Sequence, residues 1–467
     1  MPLDLSRFKG QHMFVVGLGR SGLATARALA TGGARVTVWD DNEERRLIAG
    51  GEGFTIMGPD GAGRADLVVP SPGIPLTHPM PHAAVSAADA ARVPLIGDVE
   101  LLARTQPLAR IIGITGTNGK STTTSLIGHI CAGDRPKVAV GGNLGPPVVG
   151  LPPLSAPDRY VLELSSYQLD LCHALTPTVA VLLNIAPDHL DRHGGMAGYK
   201  AAKERIFRGQ TAQDHAIVGV DDLESQDIFT RLKQEGHQRV IPISGVRPVE
   251  GGVYALKGML IDATGEVPEE IMSLSGIATL PGSHNHQNAA AAYAACRAVG
   301  VSRSLIVAGI NDFPGLDHRQ QLIKTLQGVR FVNDSKATNP EAAEKALASY
   351  GAIYWIAGGR PKSGADYKVL EPLLGRVKHT YLIGEATAPL APWLLRNDVR
   401  YTRAGGLVNA TQQAFDAARA ALKAGEVTDP VVLLSPACAS FDQFANFEAR
   451  GEAFVHAVSS VGLEVAL

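Results

Sequence analysis

The stretch GITGTNGKSTTT, Gly113 to Thr124, lies between an apolar run, RIIGI, and a helix-like run, STTTSLIGHI. A strand, a glycine-rich turn and a helix in that order form the layout of a loop that wraps phosphate, because turn amides and the helix N-terminus converge on an anion. The spacing departs by one residue from the common G-x-x-x-x-G-K-[ST] pattern: counting back from Gly119-Lys120-Ser121 puts Ile114 where the first glycine would stand. Such a loop needs permissive backbone more than one particular glycine, and Gly113, Gly116 and Gly119 provide it. Lys120 is then placed to reach terminal phosphate oxygens, and the Ser121 hydroxyl to meet a magnesium ion. The competing reading is a Gly/Thr turn carrying a solvated lysine.

That unit commits the chain to α/β architecture, and the strand–glycine turn–helix pattern starts three times. It begins at HMFVVGLGRSGLATARALATGGARVTVWDD, again at ARIIGITGTNGKS, and a third time near Leu316, after which VRFVND, AIYWIAGG, HTYLIGE and PVVLLSPA alternate with helical stretches. Pro, Gly and Asn interrupt the periodic pattern near RTQPLAR and NDFPGLDH. The expected organisation is three α/β domains over residues 1–105, 106–314 and 315–467: Rossmann-like, P-loop ATPase-like and Rossmann-like. A length of 467 residues fits roughly three cores of ordinary size. The segment DDLESQDIFTRLKQEGHQRVIPISG and the following GGVYALKGMLIDATG read as a peripheral helix and hairpin without a chemical signal.

Charge narrows the partners. A formal net charge of −2 with no long basic run leaves no electrostatic footprint for nucleic acid or an anionic membrane. The four cysteines, Cys131, Cys172, Cys296 and Cys438, form no C-x-x-C pair and read as thiols of a reducing compartment. MPLDLSRFKGQHMFVVGLG enters a strand directly, and no apolar span of about eighteen residues follows, so a cytoplasmic protein without membrane insertion is expected.

The remaining motifs lie where open parallel sheets bind ligands, after strands. GLGRSG places Gly17, Gly19 and Gly22 in a G-x-G-x-x-G pattern, with Asp40 ending the next strand at the spacing of a ribose-binding acid; a dehydrogenase, another pyrophosphate or uridine nucleotide site, or a plain tight turn all fit. Ser71 in VVPSPGIP could close over that turn. Glu163 in ELSSYQL is the carboxylate suited to magnesium bound to ATP, and Asn143 lies in GGNLG. Asp188, His189, Asp191 and His193 in APDHLDRHGG read equally as a transition-metal cluster or a polar helix start. Lys200 and Lys203 fall one turn apart on a helix, as do Asn285 and Asn288, whose amides could bracket a purine edge or cap the helix.

Together these pieces resemble the Mur ligases of peptidoglycan synthesis, whose ATP loop has the form T-G-T-N-G-K-[ST] found at Thr115 to Ser121. GLGRSG, SPGIP, ELSSYQL, DHLDRH, NDSKATN and SPACASFDQFANFEARG resemble the branch that adds D-glutamate, and the match runs through all three expected domains. The resemblance implies an ATP-dependent amide ligase in which ATP activates the carboxylate of UDP-N-acetylmuramoyl-L-alanine as an acyl phosphate that the D-glutamate amine attacks. Arg20, Ser21, Asp40, Ser71, Asn143 and His189 would contact the UDP-substrate. Gly116, Thr117, Asn118, Gly119, Lys120, Ser121, Thr122, Asn285, Asn288, His318, Arg319 and Asp334 would contact ATP, while Lys336, Thr338, Lys362, Ser440 and Phe447 would hold D-glutamate.

Two magnesium ions are implied, held by Ser121, Glu163, His189 and Lys203, with Lys203 carried as an N-carboxylated (carbamylated) side chain. Lys120, His189 and Lys203 are the implied catalytic residues. Lys200, one turn from Lys203, is expected to help depress the Lys203 pKa. At WDDN the chain departs from a member of the family that has a Thr-Arg pair after the aspartate; Asp41 and Asn42 stand there instead, at the expected uracil contacts. A monomer acting on small molecules, with domain closure over the substrates, is the expected working form. The alternatives are another Mur ligase, an amide ligase like folylpolyglutamate synthase, or a nicotinamide-dependent oxidoreductase.

Overall fold

The computed structural model describes residues 2–106, 108–277, 279–362 and 365–461. The chain forms three sheets with helices between their strands, the three α/β layers expected from the sequence. It divides into two compact units: residues up to Ser275 with Asn285–Phe313, and Gly276–His284 with Pro314 onward.

In the first unit a four-stranded parallel sheet runs Thr55–Ile56, Arg35–Trp39, His12–Val16, Leu67–Pro70. The strand order reverses beside His12–Val16, which puts the GLGRSG turn at the switch point where such sheets leave a crevice. The second sheet has nine strands, with Arg110–Thr115 flanked by Arg159–Glu163 and Val179–Leu182, all parallel. Buried apolar positions run unbroken along these strands, as sheets covered on both faces require.

Residues 221–245 differ from the expectation of a peripheral helix. Leu223–Glu235 is helical, but Arg239–Ser244 joins the sheet in parallel beside His215–Gly219, and the hairpin Val253–Leu256 with Met259–Asp262 is extended by Glu269–Ser273. Pro242 inside that strand masked its period.

One core cluster spans both sheets, from Leu3, Leu5 and Val15 through Val99, Leu101 and Leu102 to Ile111 and Tyr160. The helix Asp98–Thr105 carries the seam. Its fully buried Glu100 accepts from Arg104 Nε at 2.8 Å and from the His173 and Ala174 amides at 2.8 and 2.9 Å, so the charge is paired and hydrogen-bonded as burial demands.

The second unit holds a six-stranded sheet in the order Gln321–Leu326, Val329–Asn333, Pro430–Leu434, Ala352–Gly358, Val377–Ile383, Tyr401–Gly405, parallel apart from its first pair. No helix among the described residues is long and apolar enough to cross a membrane.

Candidate active site

The strand Arg110–Thr115 ends directly in the glycine-rich loop, and the helix Lys120–Ala132 leaves it. Gly116 and Gly119 have φ of 150° and 83°, backbone that side chains disfavour. A Cβ on Gly119 would lie 2.3 Å from the Asn288 side-chain oxygen, so this glycine also admits the helix Ser283–Ala298 against the loop. There Thr123 Oγ1 donates to Asn288 Oδ1 at 3.2 Å and Asn288 Nδ2 to Asn285 Oδ1 at 3.0 Å, both asparagines being buried. The expected pair therefore meets the expected loop. Lys120 Nζ donates to the Gly116 and Thr117 carbonyls, each at 2.8 Å.

Beneath the loop lies Lys203, 1% exposed, whose Nζ donates to the same Gly116 carbonyl at 2.8 Å and sits 4.6 Å from the Tyr199 ring centre. Burial pushes its pKa well below the usual lysine range, Lys120 pushes it further, and Asp188 and Glu163 oppose them. Lys200 plays no part in this, contrary to expectation. It bonds Glu224 and Asp227 at 3.0 and 2.5 Å, since one helical turn separates the two side chains without making them share a partner.

Glu163 is 2% exposed. Its Oε1 accepts from Asn143 Nδ2 at 2.7 Å, and its buried Oε2 has no hydrogen-bond partner. An unsatisfied buried carboxylate oxygen is costly unless a cation or donor meets it, so Glu163 fits the magnesium role. Ser121 is buried in the first turn of the loop helix.

The Asp/His cluster resolves into a helix start. His189, with φ 51°, is the N-cap of the short helix Leu190–His193 and lies 3.5 Å from Asp188, both side chains about half exposed. His193 is packed: its Nε2 is 2.9 Å from Ser166 Oγ, its Nδ1 3.4 Å from Asp170, and its ring stacks on Tyr167 at 5.2 Å. Burial first, then Lys203, His189 and Arg192, push its pKa down to about 4. Among the described residues, no group of three or more His, Cys, Asp or Glu side chains forms a metal cage.

At the GLGRSG turn, Gly17 has φ 86° and its carbonyl accepts from Ser71 Oγ at 2.6 Å. A Cβ on Gly22 would fall 1.8 Å from that carbonyl oxygen, whereas one on Gly19 would meet nothing within 4 Å. Gly17 and Gly22 thus build the turn and Gly19 keeps its face open. Asp40 is buried and committed to the turn itself, accepting from the Leu18 amide at 2.5 Å and the Asn42 amide at 2.8 Å. Arg20 donates to the Gly145 carbonyl at 2.8 Å, tying this turn to the GGNLG loop of Asn143. Asp41, at the departure from the family pattern, accepts from Trp39 Nε1 at 3.0 Å and faces His82 at 3.2 Å. Ser21 lies in the first turn of the helix Arg20–Thr31.

In the second unit His318, with φ 60°, lies 3.0 Å from Asn333 Nδ2, and a Cβ on Gly451 would collide with its ring. The His318 carbonyl accepts from the Lys336 amide at 3.0 Å, and Lys336 Nζ sits 3.8 Å above the Phe447 ring, so His318, Lys336 and Phe447 come together. Arg319 follows His318 in this turn, and Thr338 donates its amide to the Lys336 carbonyl at 2.8 Å. Ser440 is buried and Lys362 exposed, in loops that follow the neighbouring strands Pro430–Leu434 and Ala352–Gly358 and are joined by backbone bonds between Arg360 and Ala439. Ser363 and Gly364 of GGRPKSG lie outside the described residues.

Asp334 is buried, accepts from Ser435 Oγ at 2.7 Å and the Gln320 amide at 3.2 Å, and burial pushes its carboxyl up to about 7. With the folded value above the unfolded one, the protonated carboxyl stabilises the fold below about pH 4, and that contribution is lost as pH rises through 7. The stability of Asp334→Asn relative to wild type is therefore expected to rise by on the order of 2 kcal/mol from pH 5 to pH 8, read from denaturation midpoints. A difference that stays flat with pH would contradict the buried carboxyl.

Two residues escaped the sequence reading. Asn184, in TVAVLLNI, bonds the nucleotide loop at three points: its carbonyl accepts from Thr117 N at 2.9 Å, its Oδ1 accepts from Asn118 N at 2.8 Å, and its Nδ2 donates to Asn118 O at 3.2 Å. Arg450, 1% exposed, donates to Ser335 Oγ and O at 3.0 and 2.9 Å and to Cys438 O at 3.0 Å, stitching together the NDSKATN and SPACAS loops. A polar residue closing a parallel strand was the available signal for Asn184; an arginine inside an amphipathic helix gave none.

Residues 114–296 match the model of the Mur ligase middle domain and residues 318–438 that of the Mur ligase, glutamate ligase domain. The chain is 51% identical over 464 residues to UDP-N-acetylmuramoylalanine--D-glutamate ligase of Caulobacter vibrioides, covering 97% of each. It is 48% identical to the protein of that name from Phenylobacterium zucineum, covering 98% of each. The fold is similar to UDP-N-acetylmuramate-alanine ligase MurC of Thermotoga maritima, with a TM-score of 0.57 at 17% identity over 96% of this chain and 99% of that one. It is also similar to MurF ligase of Thermotoga maritima in complex with ADP, with a TM-score of 0.54 at 16% identity over 97% of each. A family of this kind leaves no place for the oxidoreductase alternative, and with a phosphate loop, a buried carboxylate and full-length relatives in agreement, the chain belongs to the Mur ligase family.

Proposed function

We propose that this protein joins D-glutamate to UDP-N-acetylmuramoyl-L-alanine at the expense of ATP, in cytoplasmic synthesis of a peptidoglycan precursor, and that it works as a monomer. The observation that carries the reading is full-length identity of 51% to a ligase of that name. A carboxylate does not react with an amine in neutral water, because its carbon is electron-rich and its oxygen leaves poorly. The γ-phosphoryl group of ATP passes to the L-alanyl carboxylate, releasing ADP; the D-glutamate amine adds to the acyl phosphate, loses its proton, and expels phosphate to leave the amide.

Lys120 and the amides of the glycine-rich loop neutralise and orient the phosphates. Ser121 and Glu163 would hold one magnesium ion, and His189 with a carbamylated Lys203 a second; when bound, the ions would supply positive charge that offsets the charge of the phosphates. The buried, unpartnered Glu163 Oε2 supports the first. The low pKa of Lys203 supports the second, since carbon dioxide adds only to a neutral amine, and a carbamate then offers the hard oxygens magnesium takes. The GLGRSG turn with Arg20, Ser21, Asp40 and Ser71, within residues 1–105, is assigned to the UDP-substrate, together with Asn143 and His189 from beyond that span. Residues 106–314 take ATP with Asn285 and Asn288. Residues 315–467 take D-glutamate through Lys336, Thr338, Lys362, Ser440 and Phe447, and contribute His318, Arg319 and Asp334 to ATP.

The test is phosphate release from ATP with UDP-N-acetylmuramoyl-L-alanine and a panel of amino acids. D-Glutamate is expected to support turnover and L-alanine or a diamino acid not to. Equal turnover with any of these would assign the chain to a different Mur ligase.

A further inference from the structure

The glycine-rich loop gains little rigidity from its own backbone, since Gly116 and Gly119 at φ 150° and 83° are the residues with the most conformations to lose. Beside the Lys120 bonds to the Gly116 and Thr117 carbonyls, it is supported from outside the motif. Asn184 closes the bonds to Thr117 and Asn118 described above, and its Nδ2 also lies 3.5 Å from Gln287 Oε1, on the helix that bears Asn285 and Asn288. Gln287 Nε2 in turn donates to Asp221 Oδ2 at 3.0 Å, and Asp221 accepts from Ser244 Oγ at 2.6 Å and the Gly245 amide at 2.7 Å.

This order fixes the amides. A carboxylate accepts only, so Asp221 turns the Gln287 amide with its nitrogen inward, which leaves Gln287 Oε1 facing Asn184. That oxygen holds the Asn184 nitrogen on its side and leaves Oδ1 to the Asn118 amide. Gly219 makes room for the relay: a Cβ there would lie 3.1 Å from Gln287 Nε2 and 1.9 Å from the Leu183 carbonyl oxygen.

We propose that Asn184, oriented by Gln287 and Asp221, is a positioning residue that holds the nucleotide loop in its phosphate-accepting form before the nucleotide arrives. The proposal rests on the assignment of this loop to ATP. A loop already ordered loses less freedom on binding, so the relay acts on nucleotide affinity rather than on the chemical step.

The experiment is steady-state kinetics and ADP titration on the full-length protein with Asn184→Ala, Gln287→Met, the double variant and Lys120→Ala. Asn184→Ala is expected to raise the KM for ATP and the Kd for ADP about tenfold or more, with the KM of the other two substrates within twofold. Gln287→Met, which leaves every direct bond to the loop in place, should raise the same constants about threefold, and the double variant should resemble Asn184→Ala alone, because the two act in series. Multiplying effects in the double variant, an ATP KM within twofold of wild type in Asn184→Ala, or equal rises in all three KM values would overturn the proposal. Should Asn184→Ala not fold, Gln287→Met decides alone: an unchanged ADP Kd overturns the proposal and a selective rise supports it. If Lys120→Ala also binds ADP and turns over as wild type does, the assignment of the loop to ATP is what has failed.

Discussion

Lys203→Ala is expected to lower turnover by about a thousandfold or more, the scale on which enzymes lose a preorganised charge at the reacting centre. Formate or acetate should restore part of it, and Lys203→Arg none. Burial comes first: a 1%-exposed ammonium facing the like charge of Lys120 is a poor cation, and the lowering of its pKa by burial and by Lys120 favours the neutral amine that carbon dioxide requires. A carbamate at that nitrogen converts the position from cationic to anionic, which a small carboxylate can imitate and arginine cannot. Rescue separates a missing anion from a damaged fold. Near-normal turnover of Lys203→Ala in bicarbonate-free buffer would remove both the carbamate and the second-ion role.

Lys120→Ala is expected to cost a hundredfold or more in kcat/KM, a few kcal/mol of transition-state stabilisation. Lys120 Nζ now spans the Gly116 and Thr117 carbonyls, within reach of the turn that would face phosphate. The same substitution should raise the Lys203 pKa, because the second contribution to its depression is removed. Methylation or carbon dioxide titration followed by mass spectrometry reads that shift separately from the rate. Turnover above a tenth of wild type would make the loop mainly structural.

Much of the site was legible because its chemistry needs residue types at fixed places after strands. Lys120, Glu163, Asn288 and Lys203 are recognisable as a loop lysine, a strand-end carboxylate and two helix side chains, and the structure gathers them round one loop. What escaped depends on distance in three dimensions. Lys200 and Lys203 are neighbours on a helix yet face different partners, and Asn184 earns its place through amide orientation that no spacing encodes. Asp40 has the position of a ribose acid, and its carboxylate also accepts from the Leu18 and Asn42 amides, an anchoring of the turn that local sequence does not show. The strand Arg239–Ser244 was hidden by its proline, which interrupts the strand period inside the sheet.

The helix Asp98–Thr105 carries a final consequence. Six of its eight residues are buried, from Asp98 to Ala103, in a core that continues from Leu3 to Leu232. A position that looks like a linker in the sequence is therefore a keel. A gene cut between residues 105 and 110 would divide one hydrophobic interior and strand Val99, Leu101 and Leu102 in water on one fragment, with Ile111 and Tyr160 facing them on the other. The GLGRSG turn and the glycine-rich loop thus rest on a single folding block, and a substitution in that keel acts on the core beneath both.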